Sequence, residues 1–176
     1  MAYPALAIAN AFIDIAKETG SIDVTPMKVQ KLVYYAHGWY LATQDQPLIN
    51  EQIEAWQYGP VVRSIYGLAK HYGNGPIKQF LAEPEFTPSG NLEMVPKILS
   101  YDSSRALKPF LEWIWTQYGR FSGTQLSNMT HEVDSPWHAV VFDKYNGQVP
   151  LGTDIDEGTI RDYFKHSLNS LSATKA

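Results

Sequence analysis

The sequence predicts a mainly α, α+β fold, a compact helical bundle of about six to seven helices with a small β-hairpin or short strands. Three observations predict it. Apolar residues recur at three- and four-residue spacing in several long segments. Cap residues and Pro or Gly stops separate those segments. Period-two alternation is limited to short runs such as "QIEAWQY".

The first helix spans about residues 4–19: Leu6, Ala9, Ile13 and Ala16 form its stripe, Phe12 and Ile15 widen it, and Gly20 stops it. Thr25 then caps a second helix, "PMKVQKLVYYAHGWYLA", with Pro26 at the first position, where no N–H is needed. After the loop "TQDQPLIN", "QIEAWQY" reads as a strand. Gly59-Pro60 ends it and opens a third helix, "VVRSIYGLAKHY", closed by Gly73. Four prolines between Asn74 and Pro96 predict loop, with one hairpin built from "IKQFL" and "NLEMV". Ser103 is the predicted cap of "SRALKPFLEWIWTQY", whose Leu107, Phe110, Leu111, Ile114 and Trp115 share a face; Pro109 either kinks this helix or marks its first turn. Ser122 and Gln125 have capping-box spacing before "GTQLSNMTH", and a short helix follows from Ser135-Pro136 to about Lys144. Asp154 and Glu157 form a second capping-box pattern ahead of a last helix at about 155–170, and residues 171–176 read as a frayed tail.

With 176 residues, 44% of them hydrophobic, and no internal repeat, the chain is expected to form one domain over residues 1–176. Fourteen Lys and Arg against eighteen Asp and Glu give a formal charge of −4 without a block of either sign, which argues against nucleic acid as the partner. The absence of cysteine removes disulfides, thiolate nucleophiles and zinc–thiolate sites and fits a cytoplasmic location. "ALAIANAFIDIA" lacks the basic region before it and the cleavage site after it that a signal peptide needs, and no segment has the length of a membrane span.

Catalytic, metal and cofactor sites are not expected. "HEVDSPWH" offers His131, Glu132, Asp134 and His138, but the histidines are seven residues apart and Pro136 interrupts any helix joining them; helix capping and loop closure by His131 and Asp134 is the better reading. No G-x-S-x-G elbow is present, and "GNGP" lacks the lysine of a phosphate loop. Glu51 and Glu54 read as solvated. In the second helix Val29, Leu32, Val33, Ala36 and Tyr40 make the core stripe; Met27, Gln30, Tyr34, His37 and Leu41 make a second one, while Lys28, Lys31 and Tyr35 turn away. His37 is expected to be a hydrogen-bonded core residue rather than a base.

Three segments in order, "MKVQKLVYYAHGWYLA", "EAWQYGPVVRSIY" and "QLSNMTHEVDSPWHAV", carry a resemblance. Over roughly residues 5–145 the chain resembles the Panacea antitoxin domain family, which includes SocA-like antitoxins and phage-associated GepA-type proteins of prophages. Lys31-Leu32, Tyr34 or Tyr35, Ala55-Trp56, Gly59-Pro60-Val61, Tyr66, Thr130-His131 and Pro136-Trp137 match the family pattern. The resemblance implies a non-enzymatic antitoxin of a type II toxin–antitoxin system, which neutralises a toxin from an adjacent gene by direct protein–protein binding. It implies as an alternative a proteolytic adaptor that delivers the toxin to a protease. No appended DNA-binding domain is legible, which speaks against autoregulation. The partner-binding residues expected are Lys31, Tyr34, His37, Trp56, Tyr58, Arg63, His131 and Trp137. Rigid turns at Gly59-Pro60 and Pro136 would present Trp56, Tyr58 and Trp137 at low entropic cost, although Trp56 and Trp137 also suit a core. Two other classes compete: a DNA-binding regulator resting on Lys28, Lys31, Arg63 and Lys70, and an enzyme with a site built on His37, His131 and His138.

Overall fold

The computed structural model describes residues 2–173 and is mainly α with a small β component. Helix α1 spans Ala5–Glu18 and α2 spans Pro26–Gln44; Thr25 caps α2 by accepting from the Lys28 N–H at 3.2 Å. Strands β1, Glu54–Trp56, and β2, Gly59–Val61, lead into α3, Arg63–Ala69, and a single 3₁₀ turn. A second hairpin pairs β3, Ala82–Phe86, with β4, Leu92–Pro96. Then come α4, Tyr101–Tyr118, α5, Gly123–Thr130, and α6, Pro136–His138, which widens into π-type turns over Ala139–Lys144. Helix α7, Glu157–Ala173, closes the described chain.

Helix α2 is the axle. It packs against α1, α3, α4, α5, α7 and β2, and every residue from Lys28 to Trp39 is buried. The two-stripe expectation is therefore too narrow: Lys28 and Lys31 are 0% and 1% exposed, and Tyr35, at 6%, stacks on Tyr118 at 4.1 Å. Long side chains allow this, because their stems fill apolar space while their heads find partners. The Lys28 ammonium reaches Asp23, at 2.8 Å from both carboxylate oxygens, and the Gly119 carbonyl at 2.7 Å. At Gly38 the axle meets α7: a Cβ there would lie 2.2 Å from the Phe164 ring. His37 is the core histidine expected; its Nδ1 accepts from the Ile49 N–H at 3.4 Å, its Nε2 lies 3.8 Å from Glu157, and burial pushes its pKa down to about 4.

Other local expectations shift. Gly59 and Pro60 do not open a helix; they begin β2, which pairs back onto β1 with Trp56 opposite Gly59. β3 lies five residues later than "IKQFL", because Ile77 and Leu81 are drawn into the core as loop residues. Helix α4 starts three residues earlier, capped by Ser100 accepting from the Ser103 N–H, and Pro109 lies inside it. Asp156, not Asp154, accepts from the Thr159 N–H at the start of α7, and Asp154 instead bridges to Glu54. The last helix continues to Ala173, three residues beyond the expected end at about 170, while 174–176 lie outside the described residues. Glu51 and Glu54 are engaged rather than solvated: both Glu51 oxygens accept from the Ala5 N–H, at 3.0 and 2.8 Å, and so satisfy the N-terminus of α1.

Among the described residues no helix is long and apolar enough to cross a membrane.

Candidate partner-binding site

The β1–β2 hairpin is short, and a two-stranded ribbon alone is marginal in water. The body of the protein holds it by hydrogen bonds from several elements. Gln30 exchanges two 2.9 Å hydrogen bonds with the backbone of Val62. Ser127 donates to the Tyr58 carbonyl at 2.8 Å, and the Trp137 indole N–H donates to the Trp56 carbonyl at 2.7 Å. From the other side, the Ala55 N–H donates to Thr153 and the Ile155 N–H to Ile53, each at 2.8 Å. The turn itself depends on Gly59. Its φ of 96° suits glycine, and a Cβ would lie 2.5 Å from the Thr130 hydroxyl and 2.8 Å from the Lys31 amine.

Lys31 lies beneath this turn. Its ammonium donates to the Pro60 carbonyl at 2.9 Å, the side chain is buried, and burial pushes its pKa down to about 7. His131 stacks on Trp137 at 3.9 Å; burial, then the neighbouring Lys31 charge, lowers its pKa. Its Nε2 and the His138 Nδ1 are buried without hydrogen-bond partners.

On the outer face, strand alternation sends Glu54 and Trp56 to the same side, and Arg63 from α3 closes over them. The guanidinium bonds both Glu54 oxygens, at 2.8 and 2.7 Å, and the Trp56 indole adds a third bond at 2.8 Å. Burial works against ionising Glu54, but these donors outweigh it and hold the carboxyl below its ordinary range. Tyr66 leans on Trp56 at 4.7 Å. The result is an aromatic ridge whose crest, Tyr58 and Tyr66, is 61% and 42% exposed. A cleft of about 400 Å³ runs along one side, past Met27, Lys31, Tyr66 and Lys70. Another of about 480 Å³ runs along the other, past Trp137, Val141, Phe142 and Leu151, and Trp56 walls both.

Six of the eight residues expected to bind a partner come together here: Trp56, Tyr58 and Arg63 on the ridge, with Lys31, His131 and Trp137 supporting it from below. Tyr34 and His37 do not join them; they are 2% and 1% exposed, and Tyr34 packs against Tyr35 and Phe164. Tyr66 and Glu54 belong to the ridge although neither is among the eight. The alternation of Glu54 with Trp56 in "QIEAWQY" was the signal for Glu54, and the three-residue step from Arg63 was the signal for Tyr66.

The features that favoured the two competing classes disperse. Of the basic set, Lys28 and Lys31 are buried and Arg63 is bound to Glu54, which leaves Lys70. His37 sits against Ile49 and α7, apart from the Trp137 contacts of His131. Among the described residues no three His, Asp or Glu side chains group so as to hold a metal.

The fold and site define a helical scaffold that displays a rigidly mounted aromatic hairpin. The family model for the antitoxin SocA-like, Panacea domain matches residues 29–138, from the first turn of α2 to the end of α6, and the chain belongs to that family. The Antitoxin SocA of Caulobacter vibrioides (strain NA1000 / CB15N) is 29% identical over 173 residues, which is 96% of this chain and 86% of that relative. No solved structure matches the chain.

Proposed function

We propose that this protein is an antitoxin that neutralises a cognate protein toxin, encoded by an adjacent gene, by direct contact in the cytoplasm and without catalysis. The observation that carries this reading is the likeness to Antitoxin SocA along almost the whole chain. The β1–β2 ridge is the surface assigned to the toxin. Its aromatics are held by a hydrogen-bonded base, so little order remains to be gained on binding, and Trp, Tyr and Arg are the side chains that most often dominate interfaces.

Placing the neighbouring reading frame under an inducible promoter tests the reading. Induction should arrest growth, and co-expression of this protein should restore it. Absence of arrest, or arrest that co-expression leaves unrelieved, refutes the proposal. Toxin half-life then separates blockade from delivery to a protease: blockade restores growth with the half-life unchanged.

A further inference from the structure

The β3–β4 hairpin is inverted relative to an ordinary surface hairpin. Its register pairs Ala82 with Pro96, Pro84 with Met94 and Phe86 with Leu92, so six apolar residues share one face. Glu83, Glu85, Glu93 and Val95 share the other. Lys97 pairs with Glu85 and lies 3.8 Å from Glu83. Asn10 of α1 clamps the base: its amide donates to the Leu81 and Lys97 carbonyls at 2.8 and 2.7 Å and accepts from the Leu81 N–H at 2.7 Å. Glu83, Glu85 and Val95 are thereby half-buried, whereas Phe86, Leu92 and Met94 are 79%, 61% and 61% exposed. The apolar face is the more exposed of the two, the opposite of what folding alone favours, while Glu85 and Glu93 keep access to solvent.

The two edges of this hairpin differ. The Thr87 N–H donates to the Asn91 carbonyl at 2.8 Å, which makes that pair a bonded one. By alternation, Phe86–Leu92 and Pro84–Met94 are non-bonded pairs, whose backbone groups point out from the ribbon. On β3 the outward positions are Ala82, Pro84 and Phe86, and the middle one has no N–H to offer. On β4, Leu92 and Met94 present N–H and C=O groups that make no backbone bond outside the ladder. Proline thus interrupts the outward row of β3 at its middle, whereas on β4 the outward proline, Pro96, stands at the end and leaves Leu92 and Met94 consecutive. The hairpin and Lys97 carry three glutamates against one lysine, a net charge of −2 over residues 82–97.

We propose that the open edge of β4 takes up an extended segment of a basic protein partner as a third strand. Its apolar side chains would pack on Phe86, Leu92 and Met94, and alternating Lys or Arg would face Glu85 and Glu93. A second copy of this chain fits poorly, because it would bring glutamates against glutamates. The inference goes beyond the antitoxin reading and concerns a surface separate from the β1–β2 ridge.

Anisotropy of a labelled peptide tests it on the full chain, using the alternating peptide Ac-Lys-Val-Arg-Val-Lys-Val-Arg-NH2 and a twin with Glu at every basic position. The basic peptide should bind and the acidic twin should not. Met94→Pro removes an outward N–H without touching the ladder and should weaken binding by roughly tenfold or more, and Glu93→Lys should weaken it several-fold. Should Met94→Pro lose the Phe86–Leu92 cross-strand NOE, the exposed Glu93→Lys variant decides. Equal binding of both peptides, no binding of the basic one at millimolar concentration, or indifference to Glu93→Lys overturns the proposal. So does sedimentation as a dimer that Met94→Pro dissociates, since the edge then pairs with a second copy.

Discussion

The indole N–H of Trp137 donates to the main-chain carbonyl of Trp56 at 2.7 Å, tying α6 to the β1–β2 turn across 81 residues of sequence. Trp137 is 5% exposed, so nearly all of its surface is spent on contacts that hold the ridge. Trp137→Phe keeps the stack on His131 but removes the indole donor to the Trp56 carbonyl. It should lower stability by about 1 kcal/mol, and Trp137→Ala by about 3–5 kcal/mol, in urea titrations.

Tyr58 and Tyr66 are expected to behave in the reverse way. Both project outward, so Tyr58→Ala and Tyr66→Ala should shift stability by no more than about 0.5–1 kcal/mol. If the ridge is the docking surface, each should weaken toxin binding by roughly 30-fold, as measured by calorimetry. Unchanged affinity for both variants would place the docking surface elsewhere.

Lys31 gives stability a pH dependence with a definite sign. Its amine is pushed from 10.5 down to about 7 in the folded chain. Between those values the unfolded chain binds the additional proton, so stability rises with pH by about 1.4 kcal/mol per unit. Below pH 7 both states are protonated, and the cost of the buried charge is fully present. Above about pH 10 the buried phenols of Tyr34 and Tyr35, whose pKa values burial raises, reverse the slope. Lys31→Met should flatten the rise between pH 7 and 10. It should leave untouched the separate rise between pH 4 and 6.5, which belongs to His37 with its folded pKa of about 4. Denaturation midpoints across pH 4–10 check both windows.

Gly38 is the position where α2 and α7 come closest. Because a Cβ there would stand 2.2 Å from the Phe164 ring, Gly38→Ala must displace a fully buried aromatic. The expected loss is about 1–3 kcal/mol by thermal or chemical denaturation. Adding Phe164→Leu should recover part of it, since the smaller side chain restores the space.

Legibility followed the range of the forces involved. The caps at Thr25 and Ser122 were readable because each is a hydrogen bond to an N–H three residues along, with both partners in one short stretch. β2 was not readable: Gly59-Pro60 looks like a helix start, and what makes it a strand is contact with Gln30, Ser127 and Trp137, supplied from distant helices. β3 was displaced for a related reason, because Ile77 and Leu81 have strand-like character yet serve as plugs in the core. Within the candidate site the aromatic residue types were legible, but which of them face outward was not.

By itself the sequence determined the helical class, the capped starts of α2 and α5, the aromatic segments and the resemblance they carry. Each of these rests on spacing within a few residues. Tertiary structure alone decided that α2 is buried on every side with Lys28 and Lys31 inside, that Tyr34 and His37 face the core while Trp56 and Tyr58 form a ridge, and that the β3–β4 hairpin turns its apolar face outward. An amphipathic pattern specifies which residues share a face. What that face meets depends on elements far along the chain and on the few polar anchors, Asn10 and Gln30 among them, that fix each hairpin to the body.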